Sequence, residues 1–308
     1  SPHFANTFSV RRYFMKTLRI ITVLLLNSTI LLAQNAKFQL IDSLNNSPIK
    51  YANIKSVKSD FGTSSDSLGF FDFDKNETAI INAVGYELSE INLQKENFKI
   101  KLSKKPIQIE EVLLEKRKNQ TEILIDEFKA SKINQFYGLS ATRNASWIIG
   151  KYFENKSYKT KFLNSINVFT TSEIKNAKFN VRIYSVDENN LPKDELYSEN
   201  IIGIAKKGRN KTKIDLSKTN IQIPKNGIFI AVDWLKVPEN IYEYSYTMKN
   251  EKGKHKAQSY APSFGCVLDE DLKKTLILRD NKWTNAIPDI MKKTNKYCII
   301  AMELVLTD

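Results

Sequence analysis

Apolar and polar residues alternate in short runs along most of the chain. That is the period of half-buried strands, not of amphipathic helices. In the first third the runs are residues 37–42, 49–57, 70–73, 79–84, 88–93 and 98–102, with Phe71 and Phe73 on one face. Asn45-Asn46-Ser47-Pro48, Asp60-Phe61-Gly62, Asp66-Ser67-Leu68-Gly69 and Gly85-Tyr86 punctuate them. In the two Asp-led turns the carboxylate can accept from backbone N–H groups ahead of it, while the glycine takes a positive φ. Short strands at this spacing predict a β-sandwich over residues 36–115, and residues 107–114 could still be its last strand.

Residues 116–145 interrupt the pattern and read as a connector. Glu115 to Gln120 is polar, residues 121–130 tolerate a helical reading, and residues 138–145 are small and polar, as in a loop. Alternation then returns in longer pieces over residues 146–308. Along residues 178–186, Phe179, Val181 and Ile183 share one face, and Asn180, Arg182 and Tyr184 the other. Further strands are expected at 146–153, 161–169, 201–205, 213–216, 227–235 and 297–306, with Tyr260 to Phe264 as a loop around Pro262. A second, jelly-roll-like sandwich is the expectation, making the whole chain all-β.

In the first unit, Asn46-Ser-Pro-Ile, Tyr51-Ala-Asn-Ile, Asp66-Ser-Leu-Gly-Phe-Phe-Asp-Phe, Ala83-Val-Gly-Tyr-Glu, Ile100-Lys-Leu and Ile109-Glu-Glu-Val follow one another in order. This series resembles the carboxypeptidase-regulatory-like domain, a transthyretin-like or Ig-like sandwich of seven strands. In Bacteroidetes such domains often lead TonB-dependent receptors and other envelope proteins. Ser65 stands where that family often has Thr. With 308 residues the chain has no room for a receptor barrel. The resemblance therefore implies a fold and an envelope setting, not transport, and it gives no reason to expect peptidase activity. In the second unit, Phe179-Asn-Val-Arg-Ile-Tyr, Asn190-Leu-Pro, Ile214-Asp-Leu-Ser and Ile221-Gln-Ile-Pro-Lys-Asn-Gly-Ile-Phe-Ile-Ala-Val-Asp-Trp follow in order. This series resembles a jelly-roll unit that follows the first domain in envelope proteins of Flavobacterium type and is similar in outline to galactose-binding-like modules, which implies architecture only.

Near the N-terminus, Met15-Lys-Thr-Leu-Arg precedes an apolar run from Ile20 to Leu32 and then Ala33-Gln34. That is the layout of a secretory signal peptide over residues 15–33, with a retained N-terminal anchor as the alternative. Residues 1–14 then read as sequence upstream of the true start. The expected location is the periplasm, the outer membrane or the cell surface. The net charge of +13 falls to about +9 once residues 1–33 are discounted, because they carry Arg11, Arg12, Lys16 and Arg19 and no acid. Such a balance favours anionic surfaces in general. The lysines are scattered, no basic stripe with interleaved aromatics suggests nucleic acid, and no membrane span is expected in the mature chain.

Candidate chemistry is sparse. No zinc, nucleophile-elbow or phosphate-loop motif occurs, and His3 and His255 are the only histidines. No catalytic residue, metal ligand or cofactor is assigned, although a hydrolase using two carboxylates stays open because such pairs form only in the fold. His255, in a charged turn, reads as solvated. Asp66 and Asp72 could be calcium ligands but read more simply as turn and strand residues. Among the tryptophans, Trp147 and Trp234 read as core, whereas Trp283, in a polar stretch, reads as the best exposed aromatic. Tyr242, Tyr244 and Tyr246 alternate, so one strand face carries all three, either as a sugar platform or as a face covered by a loop. Arg182 and Asp233 point away from the inferred core and would form a surface ion pair or bracket a polar ligand. Cys266 and Cys298 could form a disulfide, with two buried free thiols as the simpler expectation. The resulting expectation is an exported, non-catalytic binding or adhesion module for a glycan or another envelope component. The alternative is a scaffolding partner of an outer-membrane complex.

Overall fold

The computed structural model describes residues 35–95, 98–106, 117–140, 148–155, 160–248, 253–270, 275–279, 282–285 and 296–308. Within them the fold is all-β apart from three single-turn helices. Among these residues, no helix is long and apolar enough to cross a membrane. The expected signal peptide, Trp147 and the strand expected at 107–114 lie outside the described residues.

The first sandwich has a three-stranded sheet centred on β1 (Asn35–Asp42), which pairs antiparallel with β4 (Phe70–Asp74) and parallel with β7 (Lys99–Leu102). Its second sheet has the order β3 (Gly62–Ser64), β2 (Asn53–Ser56), β5 (Thr78–Asn82), β6 (Ser89–Asn92). Phe38, Leu40, Phe71 and Phe73 from the first sheet meet Ile54, Ala79 and Ile81 from the second in one core. The turn into β4 forms as its residues dictate. The Asp66 Oδ1 accepts from the N–H groups of Leu68 and Phe70, both at 2.8 Å. Gly69 has φ +78°, and a Cβ there would stand 2.6 Å from the Leu40 carbonyl oxygen. Asp66 is thus occupied as a turn residue, and among the described residues no group of three or more His, Cys, Asp or Glu is placed to hold a metal ion.

The second sandwich stacks a seven-stranded sheet on an eight-stranded one. The first has the order β13 (Pro192–Glu195), β12 (Ala177–Val186), β16 (Ile228–Trp234), β10 (Ile148–Phe153), β19 (Thr275–Arg279), β20 (Lys282–Asn285), with β14 (Ile201–Ala205) also on β12. The other has the order β17 (Ile241–Tyr246), β18 (His255–Asp269), β11 (Phe162–Ser172), β22 (Met302–Thr307), β8 (Glu122–Ile125). In it β15 (Gly208–Asp215) pairs with β11, and both β9 (Gln135–Ser140) and β21 (Tyr297–Ile300) pair with β18. The two inner faces share one large core.

Three expectations need correction. The segment read as a connector is part of the second sandwich, because β8 pairs with β22 and β9 with β18. Its imperfect apolar spacing, read as helical over 121–130, is that of an edge strand followed by a single helical turn at Ala130–Lys132. Arg117 helps tie it down by donating to the Ser217 carbonyl at 2.6 Å and to Thr307 Oγ1 at 3.0 Å. The stretch around Pro262 is not a loop but the middle of β18, a strand of 15 residues. Proline lacks a ladder N–H, and it is accommodated at a register shift between Tyr260 and Phe264. The second sandwich also has more strands than the pattern showed, since short edge pieces such as β13 and β20 carry few apolar residues.

Trp234 is core, as its alternation with Ile228, Ile230 and Val232 implies. Its indole Nε1 donates to the Pro262 carbonyl at 2.7 Å, and its ring meets Phe264 edge-on at 4.7 Å. Truncation to alanine would remove that contact and leave a cavity between the two sheets. The Trp234→Ala protein should lose about 3–5 kcal/mol of stability in denaturant unfolding. A loss below about 1 kcal/mol would mean that this indole is not central to the core.

Candidate functional site

Polar and aromatic side chains meet at several places among the described residues, and two of these are candidate sites. The first is the hairpin of β17 and β18, at one end of the eight-stranded sheet. Its register sets Tyr242 opposite Ser259, Tyr244 opposite Ala257 and Tyr246 opposite His255. Strand alternation puts all six on one face. The rings form a ladder, with centroids 6.1 Å apart from Tyr242 to Tyr244, 6.1 Å from Tyr244 to Tyr246 and 5.5 Å from Tyr246 to His255. Tyr242 packs on the main core, while Tyr244 and Tyr246 are 41% and 38% exposed. The opposite face carries Glu243, Ser245, Lys256 and Gln258, with Gln258 Nε2 donating to Glu243 Oε1 at 3.3 Å. Among these paired residues, Glu243 and Lys256 lie on one side of the hairpin and the rings on the other. At the base of the ladder is a cleft of about 730 Å³, lined by Tyr242, Tyr244, Ser140, Ser259, Ser263 and Glu173 among others. Among the described residues no loop covers the ladder, which stays open at Tyr244 and Tyr246, and His255 is not fully solvated: its half-buried ring extends the ladder.

The second place is the outward face of β12 and β16. These strands pair directly, Asn180 with Asp233 and Arg182 with Ala231. Both faces of each are buried, which the clean alternation of residues 178–186 did not reveal. Around Arg182 and Asp233 this face is covered by the first sandwich, so the two form no surface pair: their side chains are only 3% and 2% exposed. Arg182 Nε donates to Glu195 Oε1 at 2.7 Å, and Nη2 donates to Asn82 Oδ1 of the first sandwich at 2.8 Å. Asp233 Oδ2 accepts from Asn53 Nδ2, also of the first sandwich, at 2.6 Å and lies 3.9 Å from Arg182 Nη1. Asp233 Oδ1 is buried and receives no hydrogen bond among the described residues.

Around this centre the contact continues through backbone groups. Lys236 N–H donates to Ser64 Oγ at 2.9 Å, Lys236 Nζ to the Gly62 carbonyl at 3.3 Å, and Gly85 N–H to Glu195 Oε2 at 3.3 Å. Gly85 has φ +79°, and a Cβ there would lie 2.4 Å from the Ser198 carbonyl oxygen, so a side chain would push the two sandwiches apart. At the rim, Lys105 pairs with Asp194 at 2.9 Å. Burial pushes the Asp233 carboxyl up to about 7, against the pull of Arg182 and of the Asn53 hydrogen bond. Burial also draws the Lys236 ammonium down to about 8, opposed by Asp233.

Of the other candidates, the cysteines are placed apart from both sites, while Trp283 packs on the outward face of β12 and β16 beside the second. Trp283 is not an exposed platform: it is half-buried on β20, edge-on to Phe229 at 5.0 Å and to Tyr184 at 5.6 Å. Its polar sequence neighbours belong to an edge strand whose one inward position is the indole. Cys266 and Cys298 are not free thiols but a disulfide joining β18 and β21, with Cα atoms 5.4 Å apart. Their diagonal placement on paired strands, which spacing in sequence does not show, brings them together. Pattern reading also missed Asn53, Asn82, Glu195 and Lys236. Each is an ordinary polar residue in sequence and acquires a role only when the sandwiches meet.

Fold and site together define an all-β protein of two sandwiches joined through a buried polar contact. No family model and no curated protein matches the chain. Among solved structures, the cysteine protease and lectin-like domains of a surface-layer associated protein of Clostridium difficile align at 14% identity, with a TM-score of 0.34, over 53% of this chain. The chain spans 32% of that structure's length. A clostridial cysteine protease after propeptide cleavage aligns at 10% identity, with a TM-score of 0.39, over 89% of this chain and 70% of its own. The structure of an IBDV viral particle aligns at 8% identity, with a TM-score of 0.22, over 88% of this chain and 60% of that one.

Removing Arg182 would leave Glu195 and Asp233 buried without their shared cation. Arg182→Ala should therefore cost about 3–5 kcal/mol in denaturant unfolding. Lys105→Ala, at the exposed rim, should cost less than about 1 kcal/mol. Equal costs would show that the buried charges are not the core of the contact.

Proposed function

We propose that this chain is an exported envelope protein that binds an uncharged glycan chain along the Tyr242–Tyr244–Tyr246 face of its second sandwich. The observation that carries this reading is the ladder itself: evenly spaced rings, two of them well exposed, on the face opposite Glu243 and Lys256. Aromatic faces accept the C–H faces of sugar rings, and tyrosine hydroxyls can donate to or accept from sugar hydroxyls. The cleft below adds the polar side chains of Ser140, Ser263 and Glu173. An extended chain laid along β17 would meet successive rings with successive sugars. The export pattern at residues 15–33 and the resemblance of the first unit to carboxypeptidase-regulatory-like domains are consistent with work at the periplasm, outer membrane or cell surface.

A second reading, scaffolding through the first sandwich, draws on its exposed apolar side chains. Leu44 and Phe98 are 82% and 68% exposed, and Phe98 borders a cleft of about 590 Å³ with Lys99 and Lys101. In that case the first sandwich would dock onto an envelope protein, and the tyrosine face would carry no ligand.

A glycan array probed with the mature protein separates the two. The first reading expects discrete hits among uncharged polysaccharides, and Tyr244→Ala should weaken them on the order of five- to tenfold. An array without hits, together with specific capture of one membrane protein that depends on Phe98, would replace it with the second.

A further inference from the structure

We propose that the contact between the two sandwiches is a proton-operated clasp, drawn tighter when Asp233 takes up a proton and looser when it ionises. Asp233 lies at the centre of the contact, on the outward face of β16. From the first sandwich it receives one hydrogen bond, from the Asn53 amide of β2. The residues that β3 and β5 bring to the contact, Ser64 and Asn82, are also neutral. Among the described residues, the charged groups facing Asp233 all belong to the second sandwich: Arg182 on β12, Glu195 on β13 and Lys236 just beyond β16, with the Tyr184 phenol of β12 also near. Arg182 is already committed to Glu195, and it approaches Asp233 only at 3.9 Å. An ionised Asp233 is therefore left with an unbonded, buried Oδ1 and a shared cation. Ionising a carboxylate in such a place is costly, and separating the sandwiches would return it to water.

The direction follows from linkage. Docked, the carboxyl is raised by burial to about 7; undocked and solvated, it returns to its ordinary value of 3.8. Between those limits the docked form holds the extra proton, so docking strengthens as pH falls from about 7 towards 4. Lys236 acts at the other end. Docked, it is lowered to about 8 from 10.5, so docking strengthens as pH rises between those values. The clasp is weakest near pH 7–8, where both groups are charged. The contact as a whole thus holds tightest under mild acid.

Hydrogen–deuterium exchange on the full chain, corrected for the intrinsic pH dependence of amide exchange, reads the clasp through the amides of Ser64, Gly85 and Lys236. Their protection should rise roughly tenfold or more between about pH 7.5 and about pH 5.5. In Asp233→Asn, which keeps the shape without the titration, protection should be high and flat across the same range. In Asp194→Asn, at the rim, the wild-type pH response should persist. Protection in the wild type that falls or stays level on acidification, or an Asp233→Asn protein with the wild-type pH response, overturns the proposal. Should Asp233→Asn fail to fold, the side-chain carbon shift of Asp233 in the wild type decides. A midpoint near neutrality upholds the clasp, and one in the ordinary carboxylate range overturns it.

Discussion

Arg182 and Asp233 stand on the outward faces of two strands whose inward faces form the main core of the second sandwich. Charges removed from water are tolerated only when paired and hydrogen-bonded, and each unpartnered ion costs several kcal/mol. Here the partners come from two directions. Glu195 arrives from the neighbouring edge strand, and Asn53 and Asn82 arrive from the first sandwich. The second sandwich alone would expose this face to solvent; the first covers it and supplies the amides that complete its bonds. Lys236 and Ser64 extend the same logic through the backbone, and Gly85 permits the close approach that the geometry needs. The way the two sandwiches meet depends on this contact.

With the first sandwich held on one sheet, the other sheet presents the tyrosine ladder on its end hairpin. The two features use opposite chemistry. The contact is polar and dry, and it joins the sandwiches. The ladder is aromatic and partly solvated, suited to a ligand with weakly polar C–H faces and many hydroxyls.

Much of the architecture was legible in residue pattern. Phe71 and Phe73 fall on one buried face, Asp66 and Gly69 make the turn that their chemistry implies, and Trp234 packs with the residues it alternates with. The tyrosine face was equally legible, since period-two spacing within one strand is local information. Edge strands escaped: β8 has only four residues and puts an apolar Leu124 on its exposed face, and β9 puts Phe136 and Gly138 on its less buried face, so neither alternates cleanly. The contact between sandwiches was invisible for a different reason. Alternation distinguishes the core face of a strand from its other face, but it does not say whether water or another domain covers that other face. Arg182 among apolar neighbours looks the same in both cases. The pairing of Cys266 with Cys298 likewise depends on strand register, which is set by contacts distant in sequence.

The central claim is that the two sandwiches form one thermodynamic unit joined through Arg182, Asp233 and the asparagines opposite them. Amide exchange measured across a denaturant series tests it most directly, comparing Ile54 and Ile81 in the first core with Ile230 and Val232 in the second. One unit predicts that all four amides share the same opening free energy and the same dependence on denaturant. If Ile54 and Ile81 opened at distinctly lower denaturant while Ile230 and Val232 kept full protection, the sandwiches would be independent domains in passing contact, and the account would be wrong.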